Sequence, residues 1–416
     1  MRALVCNVSI PRQAFSGLLG RLDPRFYLGP FSPVALKDIP EPELPAPDWV
    51  TIRTRLCGIC GSDYKQVFLH GNLDNPMTAL ISFPQVLGHE VTGTIERVGS
   101  AVTTRKVGER VVLNPWLSCG PRGIRPPCPA CARGQYSVCH NFTRGILPPG
   151  IHTGNSSKAT GGFAPLVPAH ESMCIPVPDG VSDEQAVLAD PFSVSLHGIL
   201  KRPPRPGETA LVYGCGTLGL LAVAILRALY PESRVMAVAR FPHQKAIAAR
   251  FGASLVLPHE PVKELVTRIG AATDAEVLHP WYGLPWLYGG GVDVIYDTVG
   301  LPATVEVGIR IAAARGAIVV TGVEAPARFE WTPLYFKEIS IIGSNAFGVE
   351  EFDGRRRHSM DIYMDLVKQG RIDVTPIITH RFALDDYRDA FLACGKQGRS
   401  GAVKVLFAYD GAPPPA

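Results

Sequence analysis

Residues 209–226 read TALVYGCGTLGLLAVAIL, an uncharged stretch in which a short apolar run passes through a glycine turn into a longer apolar run. Its G-x-G-x-x-G spacing lies where a predicted strand meets a predicted helix. There, glycines permit a tight turn and let the backbone approach a pyrophosphate held at the helix N-terminus. The pattern predicts a dinucleotide-binding turn at Gly214, Cys215, Gly216, Thr217, Leu218 and Gly219. The glycines also favour a buried strand, turn and helix over a membrane span.

Strands and helices alternate on both sides of this turn. Strands are predicted at 210–213, 234–239, 292–296 and 317–321, and a helix at 243–251. Such alternation is typical of βαβ units that build a parallel sheet. Residues 271–291, rich in Trp and Tyr, interrupt the pattern as an insertion to which the sequence gives no role.

The first third of the chain has a different pattern. Short β-like runs at 50–54, 91–98 and 110–113 are separated by Gly and Pro, which predicts a small, irregular β domain. Residues 11–48 contain many prolines and little periodicity, and we expect a long surface excursion there. Residues 114–163 are rich in Cys, Pro and Gly, which favours a loop lobe.

Composition limits the class of protein. The chain has 416 residues, of which 46% are hydrophobic and 19% charged, enough for two domains with sizeable cores. A net charge of +4 is too small on this length to indicate a nucleic-acid surface. The N-terminus shows no secretory signal pattern, so the ten cysteines predict thiols and metal ligands in a reducing, cytoplasmic compartment.

Four of the ten cysteines, Cys119, Cys128, Cys131 and Cys139, fall within 21 residues. Four soft thiolates in one Gly/Pro-rich segment suit a closed, tetrahedral structural zinc site. The alternative is a set of unrelated buried thiols, which the clustering disfavours.

Three further residues, Cys60, His89 and Asp190, offer the mixed S, N and O donors of a catalytic zinc site, which needs three protein ligands and an open position. Their spacing alone does not join them. For Asp190 a second interpretation stays open, because it could be the N-cap of a helix that has Pro191 at its first position.

The stretch Gly88-His89-Glu90-x-x-Gly93, followed after five intervening residues by Gly99, resembles the signature of zinc-dependent alcohol dehydrogenases in the medium-chain dehydrogenase/reductase superfamily. Cys60-Gly61-Ser62-Asp63, the cysteine lobe and the glycine turn follow in that family's order. The resemblance implies an α/β fold: a GroES-like, β-rich catalytic domain over 1–188 and 345–416, with the zinc lobe at 114–145, and a doubly wound Rossmann domain over 189–344. The resemblance covers nearly the whole chain outside 11–48 and 271–291.

The same resemblance implies roles for individual residues. Cys60 and His89 would bind the catalytic zinc, Glu90 would be a nearby carboxylate able to exchange onto it, and Asp190 occupies the position of the third ligand. Ser62 would accept the alcohol proton, and Asp63 would orient His89. Lys65 replaces the histidine that often ends the proton relay, which leaves the last step of that relay open.

These features together predict a zinc dehydrogenase that transfers a hydride between an alcohol or polyol and a nicotinamide cofactor, with two zinc ions per chain. Its partners would be a small-molecule substrate and copies of itself in a homodimer or homotetramer, with no nucleic acid or membrane. The alternatives are a zinc-independent quinone or enone reductase of the same fold and a non-enzymatic zinc-binding protein.

The residues at the end of the second Rossmann strand indicate whether the enzyme prefers NAD or NADP. NAD enzymes usually carry an acidic residue there to bind the ribose 2′-hydroxyl. Counting back from Gly252 places Ala239 at that position, and Arg240 follows it. Because an arginine can bind a 2′-phosphate in bidentate fashion, NADP is predicted as the preferred cofactor, with NAD possible.

Overall fold

The computed structural model describes residues 1–7, 9–70, 76–322 and 329–409. The chain divides into two compact units, the first formed by Met1–Asp190 and Glu351–Ala416 and the second by Pro191–Glu350. The proline tail at 413–415 lies outside the described residues.

The N-terminal part of the first unit is built mainly from strands. They are β1 (Arg2–Cys6), β2 (Val34–Asp38), β3 (Trp49–Gly58), β4 (Gln85–Val86), β5 (Glu90–Val98), β6 (Arg110–Leu113), β7 (Leu166–His170) and β8 (Cys174–Pro176). The α-helices are short: α1 (Ile10–Gly20), α2 (Gly61–Val67), α3 (Pro129–Ala132) and α4 (Asp183–Ala186). One-turn 3₁₀ helices occupy Pro24–Leu28, Pro76–Leu80, Tyr136–Val138 and Glu171–Met173.

The second unit alternates strands and helices. Its strands are β9 (Thr209–Tyr213), β10 (Arg234–Ala239), β11 (Leu255–Pro258), β12 (Glu276–Leu278), β13 (Trp286–Tyr288), β14 (Val292–Asp297), β15 (Ala312–Val320) and β16 (Ser340–Gly343). The helices are α5 (Ala189–Lys201), which begins at the unit boundary, α6 (Thr217–Leu229), α7 (Pro242–Arg250), α8 (Val262–Ala272), α9 (Pro302–Ile311) and α10 (Thr332–Phe336).

The chain then returns to the first unit. The last elements are β17 (Val349–Phe352), β18 (Arg355–His358), α11 (Ser359–Lys368), β19 (Ile378–Phe382), α12 (Tyr387–Gly395), α13 (Gln397–Ser400) and β20 (Lys404–Ala408), with 3₁₀ turns at Thr375–Ile377 and Leu384–Asp386.

Seven strands of the first unit form one sheet, ordered β19-β20-β3-β5-β6-β8, with β7 pairing β3 beside this path. The aromatic rings of Phe163, Phe391 and Phe407 pack in its core, with the centroids of Phe163 and Phe407 4.9 Å apart. The C-terminal strand β20 inserts between β19 and β3, so the sheet is completed by residues from both ends of the chain.

The six-stranded sheet of the second unit is parallel throughout and has the order β11-β10-β9-β14-β15-β16. This order is that of a doubly wound Rossmann sheet, in which the direction of winding reverses beside the first strand. Helix α6 is buried along most of its length, which accounts for an apolar run that resembles a membrane span. In the described residues, no helix is both long enough and apolar enough to cross a bilayer.

Two stretches differ from their sequence-based expectations. Residues 11–48, expected to be a surface excursion, include α1 and strand β2, which pairs with β1, and they contribute buried Leu28 and Val34 to the core. The sequence pattern missed them because prolines mask the short apolar runs. The insertion at 271–291 forms the two-stranded hairpin of β12 and β13, with Trp281 and Tyr282 fully exposed near its tip.

The lobe at 114–163 has little regular structure and is organised by one buried cation. The Arg122 side chain is fully buried and donates five hydrogen bonds of 2.7–3.1 Å to the backbone carbonyls of Leu117, Arg144, Leu147, Pro148 and Gly150. Burial lowers the pKa of Arg122 to about 10, so it remains a cation at neutral pH. The guanidinium thus replaces the regular backbone pairing that this segment lacks.

Arg122→Met should therefore destabilise the first unit by about 3–5 kcal/mol, because five buried carbonyls would lose their donor. Thermal unfolding followed by circular dichroism measures the effect, and Arg125→Met, at an exposed position of the same loop, is the matched control. Equal melting temperatures for the two variants would show that Arg122 does not organise the lobe.

Candidate functional site

Strand register brings Cys60 and His89 together. In the pairing of β3 with β5, Gly58 is opposite Glu90. Cys60 follows Gly58 by two residues and His89 directly precedes Glu90, so both side chains emerge at the same end of the strand pair. This long-range pairing explains why linear spacing alone could not connect them.

Donor atoms of Cys60, His89 and Glu90 all lie within 4.8 Å of one another. His89 and Glu90 are buried, and the thiol of Cys60 is near enough to interact with the His89 ring. A sulfur, a nitrogen and a carboxylate oxygen that converge in a buried position match the donor set of a catalytic zinc. The residues present therefore fit a metal ion of this type.

Asp190 lies beside this cluster without being part of the 4.8 Å set. It is the second residue of α5, inside the first turn, so the interpretation of Asp190 as the helix N-cap is wrong. Its carboxylate is buried, its Oδ2 has no hydrogen-bond partner among the described residues, and burial raises its pKa to about 7. A buried carboxylate oxygen without a donor is a costly arrangement unless a cation or proton satisfies it.

The carboxylate of Asp63 joins the two loops that carry the candidate ligands. Its Oδ2 accepts a hydrogen bond from the backbone N–H of Cys60 at 3.0 Å, and its Oδ1 accepts one from Gly88 at 3.3 Å. The distance from Oδ1 to His89 Nδ1 is 3.7 Å, beyond a normal hydrogen bond. Asp63 thus acts first on the backbone of these loops and only electrostatically on the His89 ring.

Glu90 forms a fully buried ion pair with Lys404, a residue that the sequence analysis did not identify. Lys404 Nζ also donates to the carbonyl of Ile59 at 3.2 Å. Burial disfavours the ammonium, but the nearby Glu90 and Cys60 outweigh burial and raise the pKa of Lys404. The only sequence signal was that this lysine, the first residue of β20, interrupts the apolar run of residues 402–408, an unusual place for a charge.

The two remaining residues of the expected relay lie on α2. Ser62 is exposed in the first turn of this helix, and Lys65 is half-buried three residues later. Side chains three positions apart share one helix face, so Ser62 and Lys65 lie on the same side of α2.

The four lobe cysteines converge as their spacing predicted. Their sulfurs lie within 4.8 Å of one another, with 3.7 Å between Cys119 and Cys139 and 4.0 Å between Cys128 and Cys139. A tetrahedron with zinc–sulfur bonds of about 2.3 Å has an edge of about 3.8 Å. These distances fit a four-thiolate zinc site, and all ten cysteines are free thiols.

N–H donors surround the sulfurs of the lobe. The sulfur of Cys119 accepts hydrogen bonds from the backbone of Cys128 and the Asn141 amide, at 3.3 and 3.2 Å. Burial tends to raise the pKa of Cys128, but N–H groups of Cys131 and His140 outweigh this effect and lower it to about 6. At Cys119 burial outweighs the donors and raises the pKa of the thiol, so the lowered pKa is that of Cys128 and not of the whole lobe.

The glycine turn has the geometry required for a dinucleotide. Gly214 has φ +94°, and a Cβ on Gly219 would lie 1.8 Å from the Gly214 carbonyl, so both positions require glycine. A Cβ on Gly216, by contrast, would meet no atom within 4 Å, which leaves open space above the N-terminus of α6. Cys215 is buried, whereas Thr217 and Leu218 are half-buried in the first turn.

At the end of the neighbouring strand β10, Ala239 is fully buried and Arg240 is exposed. The Arg240 guanidinium lies 5.2 Å from the centre of the Phe241 ring. Strand β10 ends at Ala239, as the sequence predicted, and neither of the residues at its end is acidic.

Comparison with known proteins agrees with both halves of this description. Residues 46–179 match the family model described as "Alcohol dehydrogenase GroES-like domain", and residues 217–358 match "Zinc-binding dehydrogenase". "Probable D-xylulose reductase A" of Aspergillus clavatus is 29% identical over 92% of this chain and 96% of its own length. "L-idonate 5-dehydrogenase" of Vitis vinifera is 28% identical over 86% of this chain and 87% of its own.

Among solved structures, 2R,3R-butanediol dehydrogenase from Bacillus subtilis superposes with a TM-score of 0.70 at 26% identity, covering 91% of this chain and 96% of that one. The two family models, the length of the alignments and the shared fold lead to one conclusion. The chain belongs to the zinc-dependent alcohol dehydrogenase family of the medium-chain dehydrogenase/reductase superfamily, and it is an NAD(P)-dependent oxidoreductase of CH–OH groups.

Proposed function

We propose that this enzyme oxidises a polyol, or reduces the matching ketose, at a zinc ion held by Cys60, His89 and Asp190. The observation that carries the proposal is the convergence of the Cys60 thiol, the His89 imidazole and the Glu90 carboxylate at the joined ends of β3 and β5, with the buried carboxylate of Asp190 beside them. The D-xylulose and L-idonate enzymes among the relatives support a polyol as the substrate class.

Asp190 is proposed as the third ligand in preference to Glu90. Glu90 already has a cationic partner in Lys404, whereas Asp190 has an oxygen with no hydrogen bond from the described residues. A cation beside Asp190 would remove that cost. Glu90 then serves as the exchangeable carboxylate that the family resemblance implies.

When bound, zinc supplies a Lewis acid for the substrate hydroxyl and the nicotinamide supplies the hydride acceptor. Ser62 accepts the hydroxyl proton at its Oγ, since it is exposed two residues after Cys60. Lys65 is the next polar residue on this face of α2, and it can receive the proton only when its amine is unprotonated. Asp63 keeps the loops of Cys60 and His89 at a fixed separation through its two backbone hydrogen bonds.

A zinc-independent reductase of the same fold is the weaker alternative. Such an enzyme would have no use for a buried thiol, imidazole and carboxylate in contact. Membership of the dehydrogenase family leaves the non-enzymatic zinc protein without support.

We also propose a second, structural zinc at Cys119, Cys128, Cys131 and Cys139, supported by sulfur separations of 3.7 and 4.0 Å and by the N–H donors around them.

NADP is proposed as the preferred cofactor, because the exposed Arg240 follows the buried Ala239 where an NAD enzyme would have an acid.

A homodimer or homotetramer is proposed as the assembly. β16 is an outer strand of the parallel sheet, and exposed Ile341, Tyr335 and Phe336 lie on or just before it. An exposed strand edge with apolar neighbours is a template for pairing with a second chain.

The ten free thiols support the expectation of a reducing, cytoplasmic compartment.

His89→Ala should reduce kcat/KM by about 10³-fold or more, because the reaction would lose a metal ligand, while NADP binding stays within about threefold of wild type. Turnover followed at 340 nm and cofactor titration by calorimetry measure the two effects. His279→Ala, at an exposed position, is the matched control. Substantial turnover by His89→Ala would exclude the zinc mechanism.

Cys128→Ser should lower the zinc content from about two ions to one per chain and the melting temperature by roughly 5–10 °C, since structural zinc contributes folding free energy. Elemental analysis and calorimetry test this, with Cys394→Ser, a half-buried thiol outside the lobe, as control. An unchanged zinc content and melting temperature in Cys128→Ser would refute the structural site.

Arg240→Ala should raise the Michaelis constant for NADP by about 10–100-fold and that for NAD by no more than about threefold, because only NADP offers a 2′-phosphate. Steady-state kinetics with both cofactors measure the difference, and Arg250→Ala, exposed at the end of α7, is the control. A wild-type preference for NAD, or an equal effect on both cofactors, would contradict this assignment.

A further inference from the structure

His152 lies beside the candidate metal site in a loop with no assigned role. The loop is fixed at both ends of the histidine. His152 bridges to Trp116, and the Asn155 side chain accepts the backbone N–H groups of Ile151 and His152 at 2.9 and 3.0 Å. Its position is therefore set by backbone bonds that do not involve the imidazole.

The same loop packs directly on the segment that carries His89. A Cβ on Gly154 would lie 3.3 Å from the backbone of Gly88. The ring centroids of His152 and His89 are 4.5 Å apart with the planes tilted by 47°, and Trp116 packs edge-on to His152 at 6.0 Å. The imidazole of His152 thus packs against the ring of a candidate metal ligand.

One hydrogen bond fixes the tautomer of His152. Its Nδ1 lies 2.7 Å from the carbonyl oxygen of Thr153, which can only accept. Nδ1 therefore carries the proton, and in the neutral ring Nε2 becomes a hydrogen-bond acceptor. Nε2 has no partner among the described residues, and the side chain is half-buried, so it is not sealed from solvent.

A purely structural histidine would use the N–H to Thr153 and the ring contacts, which leaves the oriented acceptor at Nε2 unexplained. An imidazole acceptor fixed in this way can accept a hydrogen bond from a hydroxyl group. Polyols carry such a hydroxyl on the carbon next to the reacting carbon.

We propose that His152 Nε2 accepts a hydrogen bond from the second hydroxyl of a vicinal diol or polyol and so selects such substrates over simple alcohols. This inference rests on the proposed function, since it needs a reacting hydroxyl at the metal. It makes His152 a specificity residue, with no part in the proton path.

The test compares two substrates that differ by one hydroxyl, butane-2,3-diol and butan-2-ol, with wild type and His152→Phe. Phenylalanine keeps a ring against His89 and Trp116 and removes the acceptor. We expect kcat/KM for the diol to fall about 100-fold in His152→Phe and that for butan-2-ol to change less than about threefold, because a site built for a hydroxyl discriminates strongly through it. The stabilisation of the protein by xylitol in thermal shift assays should be lost in the same variant.

His380→Phe, at a half-buried position in β19, is the matched control and should behave as wild type with both substrates. An equal fall for both alcohols in His152→Phe, or undiminished diol oxidation and xylitol stabilisation, would overturn the inference. Wild type that oxidises neither alcohol nor any polyol would instead overturn the proposed function, so the two failures are distinguishable.

Discussion

The geometry of the catalytic unit depends on the buried carboxylate of Asp63. Its two oxygens accept the backbone N–H groups of Cys60 and Gly88, residues 28 positions apart in the chain. The backbone of Cys60 and the backbone next to His89 are therefore both bound to one carboxylate. Burial raises the pKa of Asp63, so its charged form relies on these donors and on the nearby His89.

Around this carboxylate the chain arranges a set of compensated charges. Lys404 balances the charge of Glu90, whereas the Oδ2 of Asp190 has no hydrogen-bond partner among the described residues. A divalent cation bound by Cys60, His89 and Glu90 would also provide a partner for the Asp190 oxygen, so both observations point to a metal ion. Buried polar groups are also paired in the cysteine lobe. There, Arg122 donates hydrogen bonds to the loop carbonyls, and N–H groups donate to the cysteine sulfurs.

Features encoded locally could be predicted from the sequence. The glycine turn, strand β10 with Ala239 and Arg240 at its end, and the cysteine lobe each depend on a short window, and the structure places them as predicted. Lys404, Arg122 and His152 could not be predicted, because their roles arise from contacts between distant segments. Residues 11–48 were misjudged because prolines interrupt their short apolar runs, and β2 becomes recognisable only through its pairing with β1.

The insertion of β20 between β19 and β3 has a consequence for the synthesis of the protein. Strand β3 emerges from the ribosome early, yet one of its neighbours and the partner of Glu90 are translated some 350 residues later. The intervening Rossmann segment has a complete sheet of its own and can fold first. Until β20 has been translated, the first unit lacks one neighbour of β3 and the cation that balances Glu90, and unpaired strand edges of this kind favour aggregation during synthesis.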